Sequence, residues 1–193
     1  MTELLERKDL IVNLIQPETA LERIILQDKS FQEGALWGKP RRGHPEGKVI
    51  YHIREVLDNV EQVVEDDVMR QQLRLITIIH DAFKFQEDTS FPRDWDKHHA
   101  LIARNFAERF IDDETVLDII ELHDEAYYCW RWENRYSKPE IAKRRKQNLL
   151  DRIGQENMQL YYLFFKCDTQ TGDKTQEPVA WFEETFDVKI VDF

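Results

Sequence analysis

Cysteine, glycine, proline and long apolar runs are all scarce in this chain, and each scarcity excludes something. Two cysteines, Cys129 and Cys167, in 193 residues are too few for a disulfide framework. They are expected to be reduced thiols in a cytoplasmic protein. Six glycines and six prolines, set against abundant Leu, Ile, Glu, Lys and Gln, predict an all-α fold. No apolar run approaches the roughly 20 residues that span a bilayer, so no membrane partner is expected. The opening MTELLERKDLIVNL interleaves charged and apolar residues, as an amphipathic helix does and a secretory signal does not. Without a Pro/Gly/Ser-rich linker, repeat or low-complexity tract, residues 1–193 are expected to form one domain.

The net charge is −11, which argues against non-specific binding to duplex nucleic acid. A small anionic substrate is still compatible, because a metal ion and a few local cations would set the field inside a pocket. Two basic clusters stand out, Lys39-Pro40-Arg41-Arg42 and Lys143-Arg144-Arg145-Lys146. The second reads as a solvated helix face.

Along the chain, 2–15 and 18–28 read as short helices, and 30–47, with its glycines and prolines, as a loop. From 48 to 65, Val49, Ile50, Ile53, Val56, Leu57, Val60 and Val64 recur at helical spacing, and His52 borders that stripe. Segment 69–84 becomes apolar all round before His80-Asp81, which predicts a buried helix with this pair at its C-terminal end. A loop over 85–96 and helices over 97–110 and 113–123 follow. Residues 125–137 carry Tyr127, Tyr128, Trp130, Trp132 and Tyr136; at least two of these rings are expected in the core, though a nucleobase could stack on the run. Helices are predicted over 138–151 and 155–167, the second closing at Asp168, with a short helix and an extended end in 177–193.

His52, His80, Asp81 and Asp168 share a chemistry. A buried carboxylate costs several kcal/mol unless it is paired or bound to metal. Singly, each residue has a plain structural reading, such as a hydrogen-bonded core histidine or a carboxylate capping a turn. Together, neutral imidazoles and carboxylates suit a divalent ion such as Mn, Fe, Ni, Co, Mg or Zn, and a bound cation points toward hydrolysis of a phosphate ester.

The order H…HD…D over separate helices resembles the HD-domain metal-dependent phosphohydrolases. His44-Pro45-Glu46-Gly47 and the following His52 resemble an opening found in such domains. Ile78-Ile79-His80-Asp81-Ala82-Phe83-Lys84 resembles the HD signature, with Phe83 where glycine is usual. His98-His99 with Ala103, Phe106 and Ala107 resembles a further histidine segment, and Phe164-Phe165-Lys166-Cys167-Asp168 the stretch ending in the last ligand. The match covers most of 44–172, which would be a metal-binding core with helices 2–28 and segment 177–193 packed on it.

The resemblance implies an HD-type helical bundle and a ligand set of His52, His80, Asp81 and Asp168 for one ion. It also implies places for a second ion at His99 and His123, although Asp124 replaces the second histidine of a frequent pair. Asp81 would touch the metal and could also orient the attacking water. Lys84, one helical turn from His80, could hold a substrate phosphate or be a snorkelling surface lysine. Arg41, Arg42 and His44 are further phosphate candidates; His44 is also a candidate proton donor to the leaving group or a loop-ordering residue. Glu87 and Asp88 stand where a general acid or water-holding carboxylate is sometimes placed. The expected partner is a small phosphate ester, with a homodimer left open. Two alternatives are a binding module without turnover and a di-iron oxygenase on the same scaffold.

Overall fold

The apolar stripes predicted above are built as helices. The computed structural model describes residues 2–63 and 66–193, with side chains from Glu6 onward. Eleven α-helices lie among the described residues: α1 (Thr2–Ile15), α2 (Ala20–Gln27), α3 (Lys29–Ala35), α4 (Val49–Val63), α5 (Asp67–Ile79), α6 (His99–Ala107), α7 (Glu114–Leu122), α8 (Glu125–Trp130), α9 (Pro139–Ile153), α10 (Met158–Thr169) and α11 (Glu177–Thr185). The same residues contain no strand, only an isolated bridge between Arg41 and His44. The predicted C-terminal end of the 48–65 helix, with Val64, lies outside the described residues.

At the centre, α4, α5 and α10 pack against one another, with α7 on α5, α6 on α7 and α1 on α4. The sequence explains this order. In α5, Leu73, Ile76, Ile78 and Ile79 are fully buried, as an all-round apolar helix requires. Its start is capped by Asp66, whose carboxylate accepts from Met69 N at 2.8 Å. In α10, every residue from Leu160 to Cys167 is buried, including Lys166, whose Nζ meets Glu183 Oε1 on α11 at 2.8 Å. The N-terminal helices are tied on by a buried ion pair. The Arg74 guanidinium of α5 donates in fork fashion to Glu22 of α2, both bonds at 3.0 Å. It also donates to the Ile15 and Gln16 carbonyls that end α1.

Three expectations are corrected. Residues 30–47 are not wholly loop, because Asp28 caps α3 through Ser30 N and Phe31 N, and Phe31 and Ala35 are buried. Gly34 marks a close approach, not a break: a Cβ there would stand 1.6 Å from Ala82 O, one residue after Asp81. The aromatic run buries only Trp130 of its five rings. α8 passes directly into a π-helical turn, Arg131–Arg135, and Tyr127 before it and Tyr136 after it are both exposed. The 143–146 cluster is paired in part, with Arg145 on Glu125 at 2.6 Å and Lys146 on Glu133 at 2.9 Å.

The remaining loop, 36–48, closes on itself. Val49 N donates to Trp37 O at 3.0 Å. Gly38 and Gly47, at φ +118° and +83°, bring their backbones together where a Cβ on Gly38 would meet Gly47 O at 2.4 Å.

Candidate metal centre

Five helix ends meet at one place. His52 lies in the first turn of α4 and His99 opens α6, while His80 caps α5, His123 caps α7 and Asp168 lies in the last turn of α10. Three of the five contribute a C-terminal end, whose partial negative charge favours a cation.

His52 Nε2 and His80 Nε2 stand 3.6 and 3.5 Å from Asp81 Oδ2, and 2.8 and 3.7 Å from Asp168 Oδ1. Bonds of about 2.1 Å to a common ion would separate its ligands by about 3.0–3.4 Å. The donor set fits such an ion on a second ground. His52 Nε2, His80 Nε2 and Asp81 Oδ1 are all buried with no hydrogen-bond partner, an arrangement native interiors otherwise avoid. The 2.8 Å contact between His52 and Asp168 lacks the direction of a hydrogen bond.

The other nitrogen of each ring is engaged, which orients the ring and leaves Nε2 free to ligate. His80 Nδ1 donates to Thr77 O and His123 Nδ1 to Ile120 O, both at 2.9 Å. Each bond runs three residues back, to a carbonyl that a helix end leaves orphaned. His52 Nδ1 faces Thr171 Oγ1 at 3.4 Å, and that hydroxyl spends its own proton on Asp168 O at 2.7 Å. His99 Nδ1 meets Glu87 Oε2 at 3.0 Å.

Asp81 faces two ways. Its Oδ1 lies 3.5 Å from both His99 Nε2 and His123 Nε2. Those two nitrogens are 3.2 Å apart, and Asp124 Oδ2 stands 3.6 Å from each. A second group able to hold a metal ion, Asp81 with His99 and His123, therefore adjoins the first, His52 with His80 and Asp81. Asp124, standing where a second histidine is frequent, offers a carboxylate to this group instead. Tyr161 braces its turn, donating to Leu122 O at 2.8 Å and accepting from Ala126 N at 3.1 Å.

The electrostatics reflect crowded charge. Burial alone would raise the Asp81 and Asp168 carboxyls, but Lys84 and His80 hold the first well below the usual range, and Lys174 and His52 the second. Burial pulls the His52 imidazole down to about 4. His80 is pulled the same way, yet Asp81 and Asp168 outweigh burial and lift it to about 9.

The other predicted residues fall into place around this centre. Lys84 Nζ bonds Asp81 Oδ2, the oxygen facing His52 and His80. Glu87 orients His99, and its other oxygen takes Arg93. Asp88 lies apart, in the exposed turn with Ser90 and Lys97. His44 Nδ1 meets Glu46 Oε1 at 2.9 Å, and its ring edges onto His52 with centroids 5.2 Å apart. Arg41 and Arg42 line a cavity of about 780 Å³ that also reaches Asp81, His123, Asp124 and Asp168. Neither arginine has a side-chain partner among the described residues.

Sequence reasoning missed Glu46, Thr171 and Lys174. Lys174 Nζ holds Asp168 through its carbonyl at 2.9 Å and its Oδ1 at 3.1 Å. These residues sit in polar turns without periodicity, and only the chain's return past His52 makes them neighbours.

The sequence pattern of the HD domain family matches residues 49–153. That is more than half of the chain, which belongs to this family of mostly metal-dependent hydrolases. Comparison with curated proteins and with solved structures returned no match. The matched stretch ends before Asp168, so the last carboxylate of the centre rests on the geometry and on the sequence pattern around it, not on the family match. No helix among the described residues is long and apolar enough to cross a membrane.

Proposed function

We propose that this protein is a divalent-metal-dependent phosphohydrolase that cleaves a phosphate ester of a nucleotide or similar small molecule. One observation carries the reading. Asp81 and Asp168, which stand against the buried, unpartnered Nε2 atoms of His52 and His80, line a cavity whose walls gather Arg41, Arg42, Lys84, Arg131 and Lys174 in a chain of net charge −11.

His52, His80, Asp81 and Asp168 would hold one ion, and Asp81, His99, His123 and Asp124 a second. Bound there, a divalent cation supplies a hydroxide near neutral pH and neutralises charge on a phosphate oxygen. Asp81, with an oxygen toward each group, orients the attacking water. Lys84 and Lys174, anchored on the carboxylates, place ammonium charge where negative charge develops on the transferring phosphoryl group. Arg41 and Arg42, with no competing carboxylate, offer planar donors to phosphate oxygens. The leaving oxygen would find His44, oriented by Glu46, at the cavity wall. Tyr127, exposed on the cavity wall and backed by Trp130 at 5.8 Å, offers a ring to a base.

The test pairs metal analysis with turnover. Protein purified without chelator is expected to carry a divalent metal and to hydrolyse chromogenic phosphate esters when Mn, Ni or Co is added. Asp168→Ala is expected to lose metal and at least 100-fold in rate, with its helical circular dichroism intact. Metal-free protein inactive on every ester would favour a binding module, and an Asp168→Ala variant with full metal content would refute the ligand set. Two irons per chain with oxygen-dependent turnover would favour the oxygenase.

A further inference from the structure

The metal centre opens into two chambers. Besides the cavity of about 780 Å³, a second of about 490 Å³ reaches His52, Asp81 and Lys84 from the side of α3 and the 36–48 loop. Arg41, His44, Asp81 and Lys84 line both. What divides them is a tight turn at residues 41–44, closed by Arg41 N to His44 O at 3.0 Å and His44 N to Arg41 O at 2.9 Å. The turn is anchored from the far side, where Gly43 N donates to Asp173 Oδ1 at 2.6 Å. A Cβ on Gly172 would meet Pro45 Cδ at 2.9 Å and Gly43 O at 3.1 Å, so loop and turn are packed together. The partition is part of the fold.

The chambers differ in chemistry. The larger is cationic and aromatic, with Arg42, Arg131, Lys174, Tyr127 and Trp130. The smaller is mostly apolar, with Leu36, Trp37, Pro40 and Val49, and its Trp37 is 44% exposed. Each has a volume that takes a small organic ligand. A phosphate monoester has one organic arm and would leave one chamber unused.

We infer that the substrate is a phosphodiester whose two arms occupy the two chambers, one polar or anionic against the arginines and one apolar or planar on Trp37, with the phosphodiester group beneath the 41–44 turn. This rests on the hydrolase reading above and narrows it. Water adds to phosphorus and the P–O bond to one arm breaks. That arm leaves as an alcohol carrying one of the water's protons. The water's oxygen stays on phosphorus, and the product is a phosphomonoester.

The test uses the metal-loaded full chain with two chromogenic esters sharing one leaving group, thymidine 5′-(4-nitrophenyl) phosphate and 4-nitrophenyl phosphate. The diester is expected to show the higher kcat/KM by at least tenfold. Trp37→Ala is expected to lower the diester-to-monoester ratio at least fivefold, mainly through KM of the diester, and Trp37→Phe to restore most of it. A preference for the monoester, or a ratio unchanged in Trp37→Ala, overturns the two-chamber assignment and leaves the hydrolase reading standing. Turnover of neither ester with any of Mn, Ni or Co removes both.

Discussion

At the scale of single residues, protonation of His80 would compete with capture of a metal ion. In the metal-free protein its imidazole is lifted from 6.5 to about 9 by Asp81 and Asp168. The stabilisation from that proton is complete below pH 6.5 and is lost as pH rises through about 9. A metal ion needs the neutral ring, so its pH dependence runs the other way. With chelator present, the Tm is expected to fall between pH 6.5 and 9, while the rise on adding Mn grows over the same interval. Thermal unfolding with and without metal checks this; a metal-induced rise that shrinks toward pH 9 would remove His80 from the ligand set. His52, His80 and Asp81 stood out in the sequence because each adjoins an apolar run where a polar residue is costly, whereas His99 and His123 came only with the family resemblance. Asp124, Glu46 and Lys174 did not stand out, since their roles depend on distances across elements.

At the scale of elements, the N-terminal helices bury Ile11, Ile15, Ile25 and Leu26 in the core and add one buried ion pair to it. Glu22 and Arg74 are at most 1% exposed and satisfy each other in a forked geometry. Removing Glu22 leaves the buried Arg74 only the more exposed Glu18 and Glu61, at 3.2 and 3.5 Å, so Glu22→Ala is expected to cost about 3 kcal/mol, read as a lower urea midpoint at unchanged m-value. Loss below about 1 kcal/mol would show that water reaches Arg74. The periodicity of α4, α5, α7 and α10 made those helices legible. It failed at α3, where Gly34 reads as a breaker but serves a close approach to Ala82, and at the π-turn after α8, because no local pattern specifies an i+5 bond. Tyr127 before that turn and Tyr136 after it line the cavity, although propensity would bury them.

At the scale of the whole molecule, the metal centre joins α4, α5, α6, α7 and α10, and a bound ion would brace all five against unfolding. An ion at 100 times its Kd stabilises by about 2.7 kcal/mol, which for a chain of this size raises Tm by about 5–10 °C. Calorimetry of protein treated with chelator and then reloaded is expected to show that difference reversibly. Equal Tm values in the two forms would place the ion at the surface and not among these helix ends. The helical class was readable from composition and spacing; the partition by the 41–44 turn was not, because it arises where two polar loops, distant in sequence, pack on each other.

Asp168, beyond the stretch that matches the HD pattern, completes the set that His52 begins. During synthesis, the earlier ligands leave the ribosome long before α10 is made. The centre is therefore incomplete until α10 has emerged, and capture of an ion there would report that folding has passed this point. Until then the charged residues would stay unpaired and the central helices loose, a state more open to proteases than the folded one.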